Sequence, residues 1–380
     1  MPARHPGLEG ACWPTPLEAA VLRAATLDPD AGARAWREHR ADIDIPTLSN
    51  PELYRLLPAV YANLRATGAD DPDLQLMKGL YRRTFYANRM LLHHTLPGLE
   101  TLRAASIEPV VLKGLAIALL HGGDLAARPM GDIDVVVSPN DASTALKCLE
   151  HHGWSRHEDP VSPSALVRWR PGINCTTPDG GKLDLHWRLR RSAPPPHEPE
   201  PDDFGSAEVV DLPIPEGPVL RALAPADLLL YTIEHGVRAG SDAHVRWAFD
   251  AAVIARSTGD ALDWKRLVRM AGVRRSTVQV RNALTYLVEV LDIELPADIR
   301  QTLRSAPVER RERTVFAVIS GARPSVSPWR LWCATSTDWS AGQAALAFPR
   351  FLRDSWGLRS VAQVPFAAAR RLARKRRVGV

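Results

Sequence analysis

The chain has 380 residues, 45% apolar and 24% charged, the make-up of a soluble globular protein with two or three domains at about 150 residues each. Its net charge of +5 is unevenly placed: nine Lys/Arg and a single Asp fall in residues 350–380, so the rest is slightly acidic and offers no nucleic-acid stripe. The leading MPARHPGLEG lacks the apolar core of a signal peptide, no apolar run reaches the roughly 18 residues of a membrane span, and the four separated cysteines form no C-x-x-C pair; together these point to a reducing, cytoplasmic setting without structural zinc or disulfides.

Residues 1–105 read as a helical amino-terminal region. Thr15-Pro16-Leu17-Glu18 supplies an N-cap and a first-turn proline for a helix running to Leu27, and Asn50-Pro51-Glu52 opens another with Leu53, Leu56, Leu57, Val60 and Tyr61 on one face. A long helical pattern from residue 74 is expected to break at Pro97-Gly98. Residues 106–221 read as a small α+β core in the order β-α-β-α-β-β. Its strands are Pro109–Leu112, Asp132–Val137, Leu166–Cys175 and Lys182–Leu189, with a hairpin turn at Pro178-Asp179-Gly180-Gly181 between the last two. A proline-rich linker over 192–218 allows one short strand near Val209-Val210. Residues 222–340 read as a helical carboxyl-terminal domain, with helices at 226–235, 245–257, 264–271 and 276–291. Residues 341–380 form a basic tail with further helices at 341–348 and 366–377.

The chemistry lies between residues 110 and 189. Asp132 and Asp134 are two apart in a strand, so both carboxylates project from one face. In Lys182-Leu183-Asp184-Leu185-His186-Trp187 the apolar residues take one face and Asp184 and His186 the other. If the two strands are neighbours, three carboxylates converge, and such a cluster needs a cation. Oxygen ligands suit Mg²⁺ or Mn²⁺, ions that bridge carboxylates to substrate phosphates. Lys113-Gly114 stands where a strand turns into a helix, a place for phosphate, and Arg128 adds a guanidinium. The plainer reading of each part is a solvent-facing strand edge, an ordinary turn and a surface arginine; their order along the chain is far more specific than any member.

At these residues the chain resembles a known family. VLKGLAIALL, ARPMGDIDVVV and KLDLHWRL, followed by LAPADLLLYTIEHG, VRWAFDAAVIA and DWKRLVRMAG, are similar to the uncharacterised nucleotidyltransferase family of bacterial biosynthetic clusters, within the polymerase-beta-like superfamily; the likeness covers roughly residues 75–290. The resemblance implies an α+β nucleotidyltransferase core with a mixed β-sheet, flanked by amino- and carboxyl-terminal helical regions. It implies that Asp132, Asp134 and Asp184 are the catalytic and metal-binding carboxylates for Mg²⁺ or Mn²⁺, with Asp184 activating the acceptor hydroxyl. Lys113, Gly114 and Arg128 become nucleotide-binding residues; His186, on the face of Asp184, is a candidate substrate or metal contact, and His235 reads first as a capping or packing residue between domains and second as a substrate contact. Lys-Gly-Leu replaces the superfamily's Gly-Ser or Gly-Gly turn, which removes a serine ligand and adds a cation.

The expected partners are a nucleoside triphosphate such as ATP and a small-molecule, sugar or peptide acceptor, with a tailoring role in a biosynthetic cluster and no nucleic acid. A D-x-D glycosyltransferase using a nucleotide-sugar and a non-catalytic nucleotide-binding scaffold are the alternatives. Arg246 and Asp250, four apart on a helix, read first as an ion pair and second as a nucleotide or acceptor contact. The run Arg370–Arg377 reads as a solvated terminus, with weak contact to an anionic membrane surface as its functional reading.

Overall fold

Thr15 caps the first helix as expected: its hydroxyl accepts from the Glu18 amide, while Glu18 Oε2 accepts from the Thr15 amide at 2.7 Å. The structure is a computed structural model that describes residues 7–48, 50–122, 124–156, 170–190, 204–239, 245–321, 339–356 and 358–377, with single positions between them. Helices α1 (Pro16–Thr26), α2 (Pro29–His39) and α3 (Pro51–Thr67) pack on one another, and α3 packs on α4 (Leu74–Ala104).

Helix α4 corrects an expectation, because it runs unbroken through Pro97 and Gly98. Proline removes one hydrogen bond from the helical ladder and crowds the turn before it. Tertiary packing outweighs that cost. Leu91 and Leu92 before the proline and Leu99 and Leu102 after it are buried in one core. Gly98 admits the Trp154 indole, since a Cβ there would stand 2.5 Å from the ring.

The strands are β1 (Val110–Val111), β2 (Ile133–Val136), β3 (Ser155–Arg156), β4 (Gly172–Thr176), β5 (Lys182–His186), β6 (Val209–Pro213) and β7 (Val219–Leu223). They form one mixed sheet in the order β3-β4-β5-β2-β1-β7-β6. β2 lies parallel to β5, β1 is antiparallel to β2 and parallel to β7, and β4–β5 is the expected hairpin. Several boundaries differ from the sequence reading: β2 starts at Ile133, leaving Asp132 just outside it, and β5 ends at His186. Leu166 and Val167 are helical, and β4 starts only at Gly172, after Pro171. The linker carries a full hairpin, β6–β7, whose turn is closed by the Ile214 amide on the Pro218 carbonyl. Pro213 and Pro218 frame that turn, and their presence masks the inward alternation of Leu220 and Ala222.

After β1 come α5 (Lys113–Ala116) and a π-helical turn over Ile117–Gly122; α6 (Ala142–His151) follows β2. Beyond the sheet lie α7 (Pro225–Gly236), α8 (Arg246–Thr258), α9 (Trp264–Val273) and α10 (Thr277–Leu291). Helices α11 (Ala297–Ser305) and α12 (Arg310–Ile319) follow, neither marked by the sequence pattern. One apolar core runs from Cys12 to Phe316, and Trp13 joins the amino-terminal segment to α8 and α10 by ring contacts with Trp247 at 6.0 Å and Tyr286 at 5.8 Å. Trp332, Trp339, Phe351, Leu352 and Val364 form a separate small core with α13 (Ala341–Ser355) and α14 (Val364–Arg377). The tail is thus helical through Arg377, and its side chains beyond Arg370 lie outside the described residues. No described helix is long and apolar enough to cross a membrane.

Candidate active site

β2 and β5 are neighbours, and Asp134 and Asp184 are direct register partners. Partners across a parallel pair share a face, and His186, two residues beyond Asp184, returns to that face. Ligand atoms of Asp134, Asp184 and His186 all lie within 4.8 Å of one another. Room for the imidazole comes from Gly172, opposite it on β4: a Cβ there would fall 2.8 Å from His186 Nδ1 and 2.7 Å from the Leu185 carbonyl. Asp132 stands just before β2 and lines the same cavity, outside that tight group of three.

The carboxylates carry internal counter-charges. Lys113 Nζ is 2.6 Å from Asp134 Oδ1, 3.3 Å from His235 Nε2, and 5.6 Å above the Tyr231 ring. Lys113 holds φ at +28°, a left-handed value that favours glycine and costs a lysine about 1–3 kcal/mol. His186 Nε2 is 2.9 Å from Asp184 Oδ2 and 3.6 Å from Asp134 Oδ1.

Proton affinities follow from this packing. Burial opposes the charged form of His186, yet hydrogen bonds to Asp134 and Asp184 overcome it and push the ring up to about 9. Burial also acts on Asp134, but the Lys113 charge and the His186 hydrogen bond hold that carboxyl well below the usual range. Asp132 is pushed up to about 6 by burial and by the charges of Asp134 and Asp184, with Lys113 and Arg246 opposing. A site that raises one carboxyl and lowers its neighbour is short of positive charge at Asp132, as a cation site should be.

Gly114 sits under the arginine: a Cβ there would be 2.8 Å from Arg128 Nη1 and 3.1 Å from Met130 Sδ. Arg128 does not turn a free fork to the cavity. Its Nε and Nη2 bind the two oxygens of Asp250 at 2.6 and 2.7 Å, and both residues are buried. The expected Arg246–Asp250 pair is therefore overturned, and Arg246 instead lies 3.3 Å from Glu52. Both Asp250 oxygens are taken by the Arg128 fork, a geometry that an i,i+4 contact along one helix cannot match.

Sequence reasoning missed Asn88 on α4. Its Nδ2 donates to the carbonyls of Leu125 and Arg128 at 2.6 and 2.8 Å, and its Oδ1 accepts from the Met130 amide at 3.0 Å. It braces the loop that delivers Asp132 and Asp134; an asparagine on the buried face of a helix was its one signal. Thr232 and Trp247 were missed as cavity residues; with Lys113, Asp132, His235 and Arg246 they line a cavity of about 210 Å³.

Residues 52–292 match the sequence profile of the uncharacterised nucleotidyltransferase family. The chain belongs to that family. The matched segment spans the carboxylate cluster, Asn88, Arg128, Arg246 and Asp250 of this nucleotidyltransferase. No curated protein matches it. It is similar to the crystal structure of an antigenic nucleotidyltransferase-like protein from Paracoccidioides brasiliensis, at 15% identity over 58% of this chain and 94% of that one, with a TM-score of 0.30.

Proposed function

We propose that this enzyme transfers a nucleoside monophosphate from a triphosphate such as ATP to a hydroxyl of a small-molecule, sugar or peptide acceptor, tailoring a product of a biosynthetic cluster in the cytoplasm. One observation carries the reading: Asp134 and Asp184 are register partners on β2 and β5, with Asp132 lining the same cavity. The Asp134 and Asp184 carboxylates, with the His186 imidazole in reach and Asp132 lining the same cavity, offer oxygen donors that suit Mg²⁺ or Mn²⁺. Bound there, such an ion supplies charge neutralisation for the triphosphate and lowers the proton affinity of a bound hydroxyl.

The chain's own residues divide the remaining work. Asp132, Asp134 and Asp184 hold the metal. Lys113 and the Gly114 backbone hold the phosphates, Arg128 supports that turn from beneath, and His235 steadies the Lys113 ammonium from α7. Asp184, more exposed than Asp134 (21% against 10% of the side chain), faces the acceptor and takes its hydroxyl proton. The acceptor oxygen bonds to the α-phosphorus, the bond from that phosphorus to the bridging oxygen breaks, and the electron pair leaves with pyrophosphate. In this reading residues 106–221 are the catalytic core and 222–340 its helical wall.

Incubation of the full chain with each labelled triphosphate, Mg²⁺ or Mn²⁺ and candidate acceptors should release pyrophosphate, and Asp132→Asn should lose that activity. Unchanged activity in Asp132→Asn overturns the assignment. Release of a nucleoside diphosphate instead of pyrophosphate would point to glycosyl transfer.

A further inference from the structure

The wall of the cavity facing the carboxylates is formed by α7 and α8, which Gly236 brings together; a Cβ there would lie 2.1 Å from Trp247 Cβ. On that wall Thr232 is 3% exposed, and its Oγ1 has no hydrogen-bond partner. Helical threonines here ordinarily return their hydroxyl to the carbonyl four residues earlier: Thr26 to Leu22, Thr285 to Arg281, Thr302 to Asp298 and Thr314 to Arg310. Thr232 does not. A buried hydroxyl left unpaired is a standing cost to the fold, and it is tolerated where a ligand completes it.

Arg246, the first residue of α8, lines the same cavity. Its Nε is ion-paired with Glu52 Oε2 at 3.3 Å, which anchors one side of the guanidinium. The N-cap of α8, Val245, has no polar side chain to satisfy the first free amides of this 13-residue helix. Asp250, the carboxylate on this wall, has both oxygens taken by Arg128, which leaves Thr232 and Arg246 as donors lining the cavity, while the facing wall carries Asp132, Asp134 and Asp184 with Lys113. The ligand must therefore be rich in acceptors and negatively charged where it meets α8, and joined to a cation where it meets β2 and β5. The cavity volume of about 210 Å³ is smaller than the roughly 300–1,000 Å³ that encloses a drug-sized molecule, so it takes the charged end of a nucleotide and leaves the base outside.

We infer that Thr232 and Arg246 bind the β- and γ-phosphates of the triphosphate and hold the pyrophosphate formed from them. This assignment rests on the nucleotidyl-transfer reading above. It gives the helical wall a binding function and moves the phosphate-binding arginine from Arg128, which Asp250 occupies, to Arg246. The hydroxyl of Thr232 and the guanidinium of Arg246 donate, and phosphate oxygens accept.

Two titrations of the full chain test it, one with Mn²⁺ alone and one with pyrophosphate in excess Mg²⁺. Thr232→Val keeps the side-chain shape and removes only the unpaired hydroxyl. It should bind Mn²⁺ as the wild type does, melt at the same or a higher temperature, and bind pyrophosphate about tenfold or more weakly, as expected for one hydrogen bond to a charged group. Arg246→Lys keeps a cation opposite Glu52 but loses the fork, and should weaken pyrophosphate by a similar factor. Pyrophosphate affinity within twofold of wild type in both variants overturns the inference, as does loss of Mn²⁺ binding in Thr232→Val, which would place the effect at the carboxylates. A wild-type chain that binds neither pyrophosphate nor any triphosphate in Mg²⁺ counts instead against nucleotidyl transfer itself.

Discussion

Lys113 Nζ stands 2.6 Å from Asp134 Oδ1, so an ammonium at the start of α5 neutralises the carboxylate on β2. Both side chains are largely buried, at 15% and 10% exposure. A divalent cation at Asp134 competes with this contact. Lys113→Met leaves a buried carboxylate without its partner and should cost about 3–5 kcal/mol of metal-free stability. Saturating Mn²⁺ should then raise the melting temperature of the variant more than that of the wild type. Equal shifts in the two proteins would show that lysine and metal do not compete.

His186 makes metal-free stability depend on pH. Its folded value of about 9 lies above the ordinary 6.5, so its contribution is complete below pH 6.5 and disappears as pH rises through 9. At about 1.4 kcal/mol per unit the loss amounts to roughly 3 kcal/mol. Denaturant unfolding between about pH 6 and pH 10 should show this decline in the wild type and a flatter profile in His186→Gln. A flat wild-type profile would contradict the imidazolium.

The Arg128–Asp250 pair predicts strong coupling between two elements distant in sequence. Arg128→Met or Asp250→Leu alone should each cost about 3–5 kcal/mol, because the partner is left charged and buried. The double variant should recover much of that loss. A urea-unfolding double-mutant cycle reads the coupling, and simple additivity would exclude it.

Asn88→Ala removes three hydrogen bonds from the Leu125–Met130 loop. The unpaired backbone groups should cost about 3 kcal/mol in total. Because that loop delivers Asp132, Mn²⁺ affinity should fall as well. Stability lost with Mn²⁺ affinity intact would limit Asn88 to the fold.

Several features were legible in the sequence because the forces behind them are local. The Thr15 and Asn50 caps, the β-branched run after Asp132 and the apolar alternation around Asp184 each follow from neighbouring residues. The continuity of α4 through Pro97 was not legible, because it depends on Trp154 packing at Gly98. The β6–β7 hairpin was hidden for a similar reason: proline composition spoke for a linker, and its pairing with β1 is long-range.

The candidate site divides the same way. The sequence by itself determined that Asp184 and His186 share a strand face, by the two-residue period of β5, while Asp132 falls just outside β2 and reaches the same cavity from there. Tertiary structure alone decided that β2 and β5 are neighbours in a register that sets Asp134 against Asp184, and that Arg128 goes to Asp250 and Arg246 to Glu52. Charge pairing inside a fold is settled by burial and approach, and residues more than 100 positions apart meet only after the chain has packed.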